Sequence, residues 1–495
     1  MRNTSKRRVA PAVVNNVKMR NRSFSICLSL IAALLVATGP FTATPAAKSF
    51  SAPFQPERVF FGNLHSHTSF SDGSGTPAEA YGHARDDQDA RLDFMALTEH
   101  NHAEALGSDG IGIGTNAALY KGSDNNSLIS TASRMTQDGR FVALHGQEFS
   151  TISSGNHVNV FDIGEVITVQ KGRFDLLLDF LANNRDTSGQ LAVIMLNHPK
   201  DTLEVEAKEY GRDDFGDFSN WVKRMGVQTR FIQIINGPGQ SPGDNQQSAR
   251  PDEKAFLKYL NIGFKVAPTA DQDNHHKNWG SATPARTAIV ATSLTKTNVL
   301  DALRRRHVYA TEDKNLSVII KVNGRLCGDV ISPIPTGHLA IRYQISDPDE
   351  PNAEYAIQVF RDAVGEGVAQ MVSSISTEAG GGSGDIEDIA IGVQPQYIFF
   401  KVIQFNEGGD EEHVWTAPVW FQSQPEEFII TPGSGGNPDD PSPVAAVASR
   451  RSNTFHVSTR CFDAQRISAR NLVRGADARR GRRQHPGCPR ISGPR

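Results

Sequence analysis

At 495 residues the chain is long enough for two or three domains and a large buried core, and its 38% hydrophobic and 21% charged residues are those of an ordinary soluble globular protein. The formal net charge of −3 conceals an asymmetry: residues 1–47 carry seven Lys/Arg and no acid, the stretch from 442 onward carries twelve Arg and two Asp, and between them 32 basic residues face 52 acidic ones, a net of about −20. A body that acidic repels a nucleic-acid backbone, which excludes a general DNA or RNA binder and favours a site that gathers cations.

At the N-terminus Arg20 and Arg22 precede the apolar run Ile26 to Val36, and small residues follow at Ala43, Ala46 and Ala47. The run falls short of the roughly 20 apolar residues that cross a bilayer. A basic region, a short apolar stretch and small residues before a cleavage point describe a secretory signal peptide over 1–47, with Met19 as an alternative start. The expectation is an exported, periplasmic or extracellular protein without a stable membrane anchor. Of the four cysteines, Cys27 would leave with the leader, and Cys327, Cys461 and Cys488 form neither a disulfide framework nor a CxxC knuckle. Metal binding would have to rely on His and carboxylate.

From about 57 to 312 short apolar runs alternate with helical stretches. The runs predict strands over Val59–Asn63, Asp93–Thr98, Phe141–Glu148, His157–Ile163, Leu191–Asn197, Phe231–Asn236, Phe264–Ala270 and Arg286–Thr292. Helices are predicted over Thr76–Arg85, with a Thr cap and Pro77 in the first turn, and over Arg173–Asn184, Asp252–Leu260 and Thr297–Arg306. Strands separated by helices argue for parallel βα units, hence an α/β barrel or a doubly wound sheet.

Over 313–425 the helical periodicity stops. Leu316–Val322, Leu339–Ser346, Tyr355–Arg361, Tyr397–Phe405 and His413–Phe421 read as strands between Asn-Gly, Gly-Gly and Asp-Pro turns, which predicts a β-sandwich accessory domain. Residues 426–495 hold the linker TPGSGGNPDDPSP at 431–443 and continue as an Arg-rich segment with few large apolar residues, expected to be disordered.

The chemistry collects where the strands of 57–312 end. The segment LHSHTSFSDG carries His65, His67 and Asp72; in an extended chain residues i and i+2 share a face, so the two imidazoles aim at a common point. LTEHN then places His100 just past a strand, HGQEF places Glu148 at a strand end, and NHVNVF, LNHP and DQDNHH supply His157, His198, Asp273 and His275. In a parallel αβ barrel the strand C-termini open on one face, where catalytic groups gather. Ten of the fifteen histidines fall between 65 and 276, and seven of these sit at strand ends or just beyond, too regular a placement for isolated core histidines. His83, His102 and His145 read as structural, and Asp271 and His276 as flanking or surface residues.

The order HxH with a following Asp, T(D/E)H, Glu, His, His-Pro and DxH resembles the polymerase-and-histidinol-phosphatase (PHP) superfamily of metal-dependent hydrolases over residues 57 to 310. The ending DQDNHHKNWG is most similar to a secreted branch that includes carbamate hydrolases. The resemblance implies a distorted (β/α)7 barrel holding two or three divalent ions (Zn, Mn or Fe). It implies His65, His67, Glu148 and Asp273 around one ion, Glu148 bridging to a second with His157 and His198, and Asp72, His100 and His275 around a third. These nine residues would be both metal ligands and the catalytic set. Glu99 stands where Asp is more usual and reads as a supporting residue. The implied reaction is hydrolysis of a small phosphoester by metal-activated water, with C–N hydrolysis of a carbamate or amide as the neighbouring possibility. A metal-stabilised binding protein, with the sandwich presenting to a partner, is the alternative class, and metal-dependent turnover separates the two.

Overall fold

The computed structural model describes residues 57–150, 157–171, 173–199, 226–237, 251–363, 367–406 and 408–425, together with Val222 and Gly365. The leader reading of 1–47 and the linker and tail reading of 426–495 lie outside these residues. The first region runs β1 (Arg58–Asn63), α1 (Pro77–Asp86), β2 (Phe94–His100), α2 (Ala118–Lys121), α3 (Leu128–Met135), β3 (Val142–Phe149), β4 (Val158–Phe161), α4 (Phe174–Asn183) and β5 (Val193–Leu196). It continues through β6 (Thr229–Asn236), α5 (Glu253–Asn261), β7 (Ala267–Asp271), β8 (Arg286–Ala291), α6 (Lys296–Arg305) and β9 (Val308–Thr311). Local chemistry starts the helices. Thr76 and Glu79 form a reciprocal capping box ahead of α1, while Ser127, Asp252 and Thr295 accept from the first turns of α3, α5 and α6.

The protein is mixed α/β. Its large sheet runs β9-β8-β1-β2-β3-β4-β5-β6-β7 through this region. β1, β2 and β3 are parallel, as are β5, β6 and β7. The expected succession of parallel βα units is corrected at two places: β4 runs antiparallel to both β3 and β5, and β8 antiparallel to β1. Only residues 150–157 separate β3 from β4, fewer than the dozen or more that a parallel crossover needs. The far strand comes back to the first: Leu64 N–H donates to Asp271 Oδ1 (2.6 Å), Asp273 N–H to the His65 carbonyl (2.9 Å), and His67 N–H to the Asn274 carbonyl (2.8 Å).

Both faces of this sheet are buried, so its strands read as near-continuous apolar runs. One parity of residues (Phe94 and Ala96, Val142 and Leu144, Val193 and Met195, Phe231, Ala267) packs into a cluster with Val299, Leu300 and Leu303 of α6. The other parity (Met95 and Leu97, Ala143, Ile194 and Leu196, Ile232 and Ile234) packs in a second cluster with Ala80, Tyr81, Leu128, Ala132, Phe256 and Leu260 of α1, α3 and α5. The alternation decides which side chains meet at the strand ends.

Among the described residues from 313 to 425 there are strands and no helix: β10 (Ser317–Val322), β11 (Arg325–Leu326), β12 (Val330–Ile331), β13 (Ile341–Ser346), β14 (Glu354–Asp362), β15 (Gln370–Ser376), β16 (Gly382–Ile386), β17 (Gln396–Phe405), β18 (Glu411–Thr416) and β19 (Val419–Phe421). One sheet runs β11-β10-β13-β16; in the other β14 lies between β15 and β17, and β17 also pairs β18 and β19. The strand expected over His413–Phe421 is two strands, interrupted at Ala417-Pro418, where proline has no N–H to give a ladder. β18 pairs antiparallel with β9, so the second sheet is continuous with the sheet of the first region. A shared cluster joins Val318, Ile320 and Ile341 to Ile357, Phe400 and Val414, and reaches Ala288, Val290 and Tyr309 of β8 and β9. Among the described residues no helix is long and apolar enough to cross a membrane.

Candidate metal centre

The inner-face parity carries polar residues once the strands pass their apolar middles. After Phe94 and Ala96 it reaches His100, after Val142 and Leu144 it reaches Glu148, and along β5 and β6 it reaches Asn197 and Gln233. His157 precedes β4 at the same end because β4 is antiparallel. His65 and His67 follow β1, and Asp273 and His275 follow β7, where the two chains bond to each other. All nine residues expected from the sequence meet in one contiguous cluster.

Three groups of donor atoms overlap within it: His65, His67, Glu148 and Asp273; His67, Asp72, His100 and His275; and His100, Glu148 and His157. In the first, His65 Nε2 and His67 Nε2 stand 3.2 Å apart, each 3.2 Å from Glu148 Oε2 and 3.2 and 3.1 Å respectively from Asp273 Oδ1. Ligands bonded at about 2.0–2.2 Å to a zinc-like ion are separated by roughly 3.0–3.5 Å, so these four atoms already have the spacing of one coordination shell. Asp273 Oδ1 and His275 Nε2 are buried with no hydrogen-bond partner. The donor set therefore fits divalent metal, by its spacing and by its unpartnered lone pairs, and it fits the ligand scheme that the PHP resemblance implies.

The grouping departs from that scheme in detail. His67 joins both the first group and the group of Asp72, His100 and His275. His100 Nδ1 also lies 3.3 Å from Glu148 Oε2, so it stands between two groups. His157 Nδ1 and His198 Nε2 both face Glu148 Oε1, at 3.0 and 3.2 Å, with their ring centroids 5.0 Å apart. Glu148, 1% exposed, thus turns one oxygen toward each side of the cluster.

Neighbouring side chains fix the imidazole orientations. His275 Nδ1 donates to the backbone carbonyl of Asp273 (2.9 Å), which can only accept, so the Nε2 lone pair faces Asp72 Oδ1 at 3.4 Å. His65 Nδ1 faces Gln233 Oε1 (3.4 Å), which also accepts from His198 N–H (2.9 Å). Ser71 Oγ lies 3.4 Å from His67 Nδ1 and donates to Glu99 Oε2 at 2.6 Å; Glu99 also takes the Thr68 N–H, anchoring the loop after His67. Asn197 Nδ2 holds Glu148 Oε1 at 2.9 Å. Glu99 is a support, as expected; Gln233, Asn197 and Ser71 were missed, although strand parity would have found the first two. His198 and Asp273 adopt positive φ, 27° and 51°, the kind of local strain that collects at functional sites.

Burial pushes the His65 and His67 pKa values down, but the Asp273 and Glu148 carboxylates outweigh it and both end raised. For Glu148 and Asp273 burial acts upward, and the facing imidazoles, His65 foremost, carry both well below the usual carboxylate range. Burial takes His100 down to about 3, against the pull of Glu148, so its imidazole is neutral.

Four of the residues set aside have other neighbours. His83 meets Ser281 Oγ at 3.1 Å and His102 meets Glu104 at 3.1 Å. His145, on the outer parity, lies edge-on to Tyr120 and 3.7 Å from Asp162. Asp271 is buried and accepts from Leu64 N–H and the Thr287 hydroxyl.

No family model and no curated protein matches the chain. Among solved structures it is similar to a two-domain protein containing a predicted PHP-like metal-dependent phosphoesterase from Bacteroides vulgatus ATCC 8482, with 14% identity and a TM-score of 0.37 over 74% of this chain and 96% of that one. It is also similar to the soluble domain of PmoD from Methylocystis sp. ATCC 49242 (Rockwell), with 12% identity and a TM-score of 0.17 over 22% of this chain and 90% of that one. Neither likeness is large enough to carry an argument about activity.

Proposed function

We propose that the chain is an exported metal-dependent hydrolase of PHP type, with the curved sheet of residues 57–312 serving as a distorted (β/α)7 barrel and small phosphoesters as its substrates. The observation that carries this reading is the position of Glu148: one buried carboxylate facing two sets of imidazoles, with Asp273 joining the His65–His67 set and Asp72 joining a neighbouring group of His67, His100 and His275. His65, His67, Glu148 and Asp273 would hold one ion, Glu148, His157 and His198 a second, and Asp72, His100 and His275 a third, with zinc, manganese and iron all compatible with such mixed ligands. Bound divalent ions supply Lewis acidity and bring the pKa of water to about 7.

The chain's own groups do the rest. His275 and His65 keep their Nε2 lone pairs directed inward through the contacts to the Asp273 carbonyl and Gln233. The neutral His100 has a lone pair to offer a cation. The test is metal analysis of the purified protein with a panel of phosphomonoesters, phosphodiesters, nucleotides and aryl carbamates. Metal-dependent turnover of phosphoesters supports the reading, turnover confined to carbamates replaces its substrate class, and stoichiometric metal with no turnover on any member favours the binding-protein alternative.

A further inference from the structure

The stretch DQDNHHKNWG supplies Asp273 and His275 to the cluster, while its other polar members bond elsewhere. Gln272, Asn274, Asn278 and Trp279 are all buried, Asn274 completely. Asn274 stands between Asp273 and His275 as Ser66 stands between His65 and His67. The two middle residues meet. Ser66 and Asn274 form a parallel bridge, and Ser66 Oγ donates to Asn274 Oδ1 at 3.1 Å. Backbone bonds flank this contact, from Asp273 N–H to the His65 carbonyl (2.9 Å) and from His67 N–H to the Asn274 carbonyl (2.8 Å).

Uncharged amides extend the contact on both sides. Asn63, at the end of β1 and 1% exposed, donates from Nδ2 to Ser66 Oγ (2.9 Å) and to Asn274 Oδ1 (3.0 Å). Its Oδ1 accepts from the N–H groups of His65 (3.2 Å) and Gln272 (3.1 Å), so one side chain holds the backbone of both segments. Asn274 Nδ2 donates to Gln272 Oε1 at 3.2 Å and to the carbonyl and Oδ1 of Asn278, each at 3.1 Å. Gln272 in turn accepts from Gly280 N–H (2.9 Å) and donates to the Thr283 carbonyl (3.0 Å). The Trp279 indole donates to the His67 carbonyl at 2.9 Å. The amides of Asn63 and Asn274 thus have partners for both oxygen and nitrogen. A buried network satisfied in this way is rigid, and removing one member leaves its neighbours' polar groups unpaired at a cost.

We propose that Asn274, seconded by Asn63 and Ser66, is a positioning residue that fixes the His65–His67 segment against the Asp273–His275 segment and thereby sets the geometry of the metal donors. Asp273 Oδ1 stands 3.2 and 3.1 Å from His65 and His67 Nε2, a spacing that joins atoms of two segments 206 or more residues apart and that a slip between them would open. None of the three residues carries charge, so they act on the donors through position and leave the charge of the cluster unchanged. The inference rests on reading the cluster as a metal centre.

The experiment titrates Co²⁺ into the chelated full chain, reading affinity by competition with a chelator and donor geometry by the visible absorption of the bound ion. Asn274→Leu keeps the approximate volume and removes every side-chain bond. It should bind cobalt about 10–100-fold more weakly than the wild type, the usual effect of losing a group that orients a ligand, and with an altered visible spectrum. Ser66→Ala, which leaves the bond between Asn63 and Asn274 in place, should weaken binding by less. Circular dichroism and thermal melts of the chelated variants report the fold separately. A merely structural role would lower the melting temperature and leave the affinity and spectrum of folded Asn274→Leu as in the wild type, and that result overturns the proposal. If Asn274→Leu does not fold, Ser66→Ala and Trp279→Phe decide, since one removes a hydroxyl and the other an indole donor; wild-type affinity and spectrum in both overturn it. A wild-type chain that takes up no cobalt would sink the metal reading and this inference with it, whereas uptake by the wild type that the folded variants match sinks this inference alone.

Discussion

Replacing Glu148 by glutamine tests the shared carboxylate with almost no change of shape. The glutamate meets His65 and His67 Nε2 at 3.2 Å and His100 Nδ1 at 3.3 Å through Oε2. Through Oε1 it meets His157 Nδ1 at 3.0 Å, His198 Nε2 at 3.2 Å and the Asn197 amide at 2.9 Å. An amide leaves no good choice. With its oxygen toward Asn197, its NH2 points into the His65–His67–Asp273 group; reversed, the NH2 meets the Asn197 NH2 and faces His157 and His198. Loss of one charged partner from a buried pair costs about 3–5 kcal/mol, which is roughly 10²–10⁴-fold in affinity, and the carboxylate is presented to two groups at once. Elemental analysis after dialysis against a chelator at micromolar concentration should therefore find Glu148→Gln short of more than one equivalent of metal relative to wild type, with circular dichroism reporting an intact fold. Unchanged stoichiometry in folded protein would refute the shared-ligand reasoning.

His145→Ala removes a buried ring on the opposite strand parity, so it should cost stability, about 2–4 kcal/mol for a large-to-small core change, and leave metal content alone; loss of metal would contradict the parity assignment. Gln233→Leu deletes the acceptor shared by His65 Nδ1 and His198 N–H, and chelator competition should report affinity lower by roughly 10–100-fold, the usual effect of losing a group that orients a ligand; unchanged affinity would remove Gln233 from the site. In metal-free protein the raised His65 and His67 pKa values give stability that is full below about pH 6.5 and is lost as pH rises through their folded values. The lowered Glu148 and Asp273 values give stability present above about pH 4 and lost as pH falls through theirs. The chelated protein should accordingly have its highest Tm between about pH 4.5 and 6.5 and melt lower by pH 8, whereas a Tm that climbs from pH 6 to 8 would contradict the proton-for-metal exchange.

Eight of the nine converging residues were legible because they follow a short apolar run, and a run that ends in His or Glu announces a strand terminus carrying a polar group; His157 instead precedes one. Strand direction was not legible, since alternation is the same read either way; the antiparallel β4 follows from the length of the 150–157 connection, and its consequence is that His157 enters from the strand's beginning. α2 and α3 escaped notice because a four-residue and an eight-residue helix span only about one and two turns, although Ser127 stands as a cap. β15 (QMVSSIS) and β16 (GSGDI) are largely exposed and carry no apolar alternation to signal a strand. Hydrogen bonds from β9 to β18 carry one sheet across the boundary expected near 312, a pairing between segments about a hundred residues apart that no local pattern encodes.

The central claim is that bound metal at the Glu148 cluster makes this chain a hydrolase. The direct measurement is phosphoester hydrolysis by the full chain, stripped by chelation to verified absence of metal and then titrated with Zn²⁺, Mn²⁺ or Fe²⁺. Turnover that is absent in the stripped protein and rises with metal restored until the cluster is full is the predicted result. Full turnover in the metal-free protein, or none at any loading, would contradict the account.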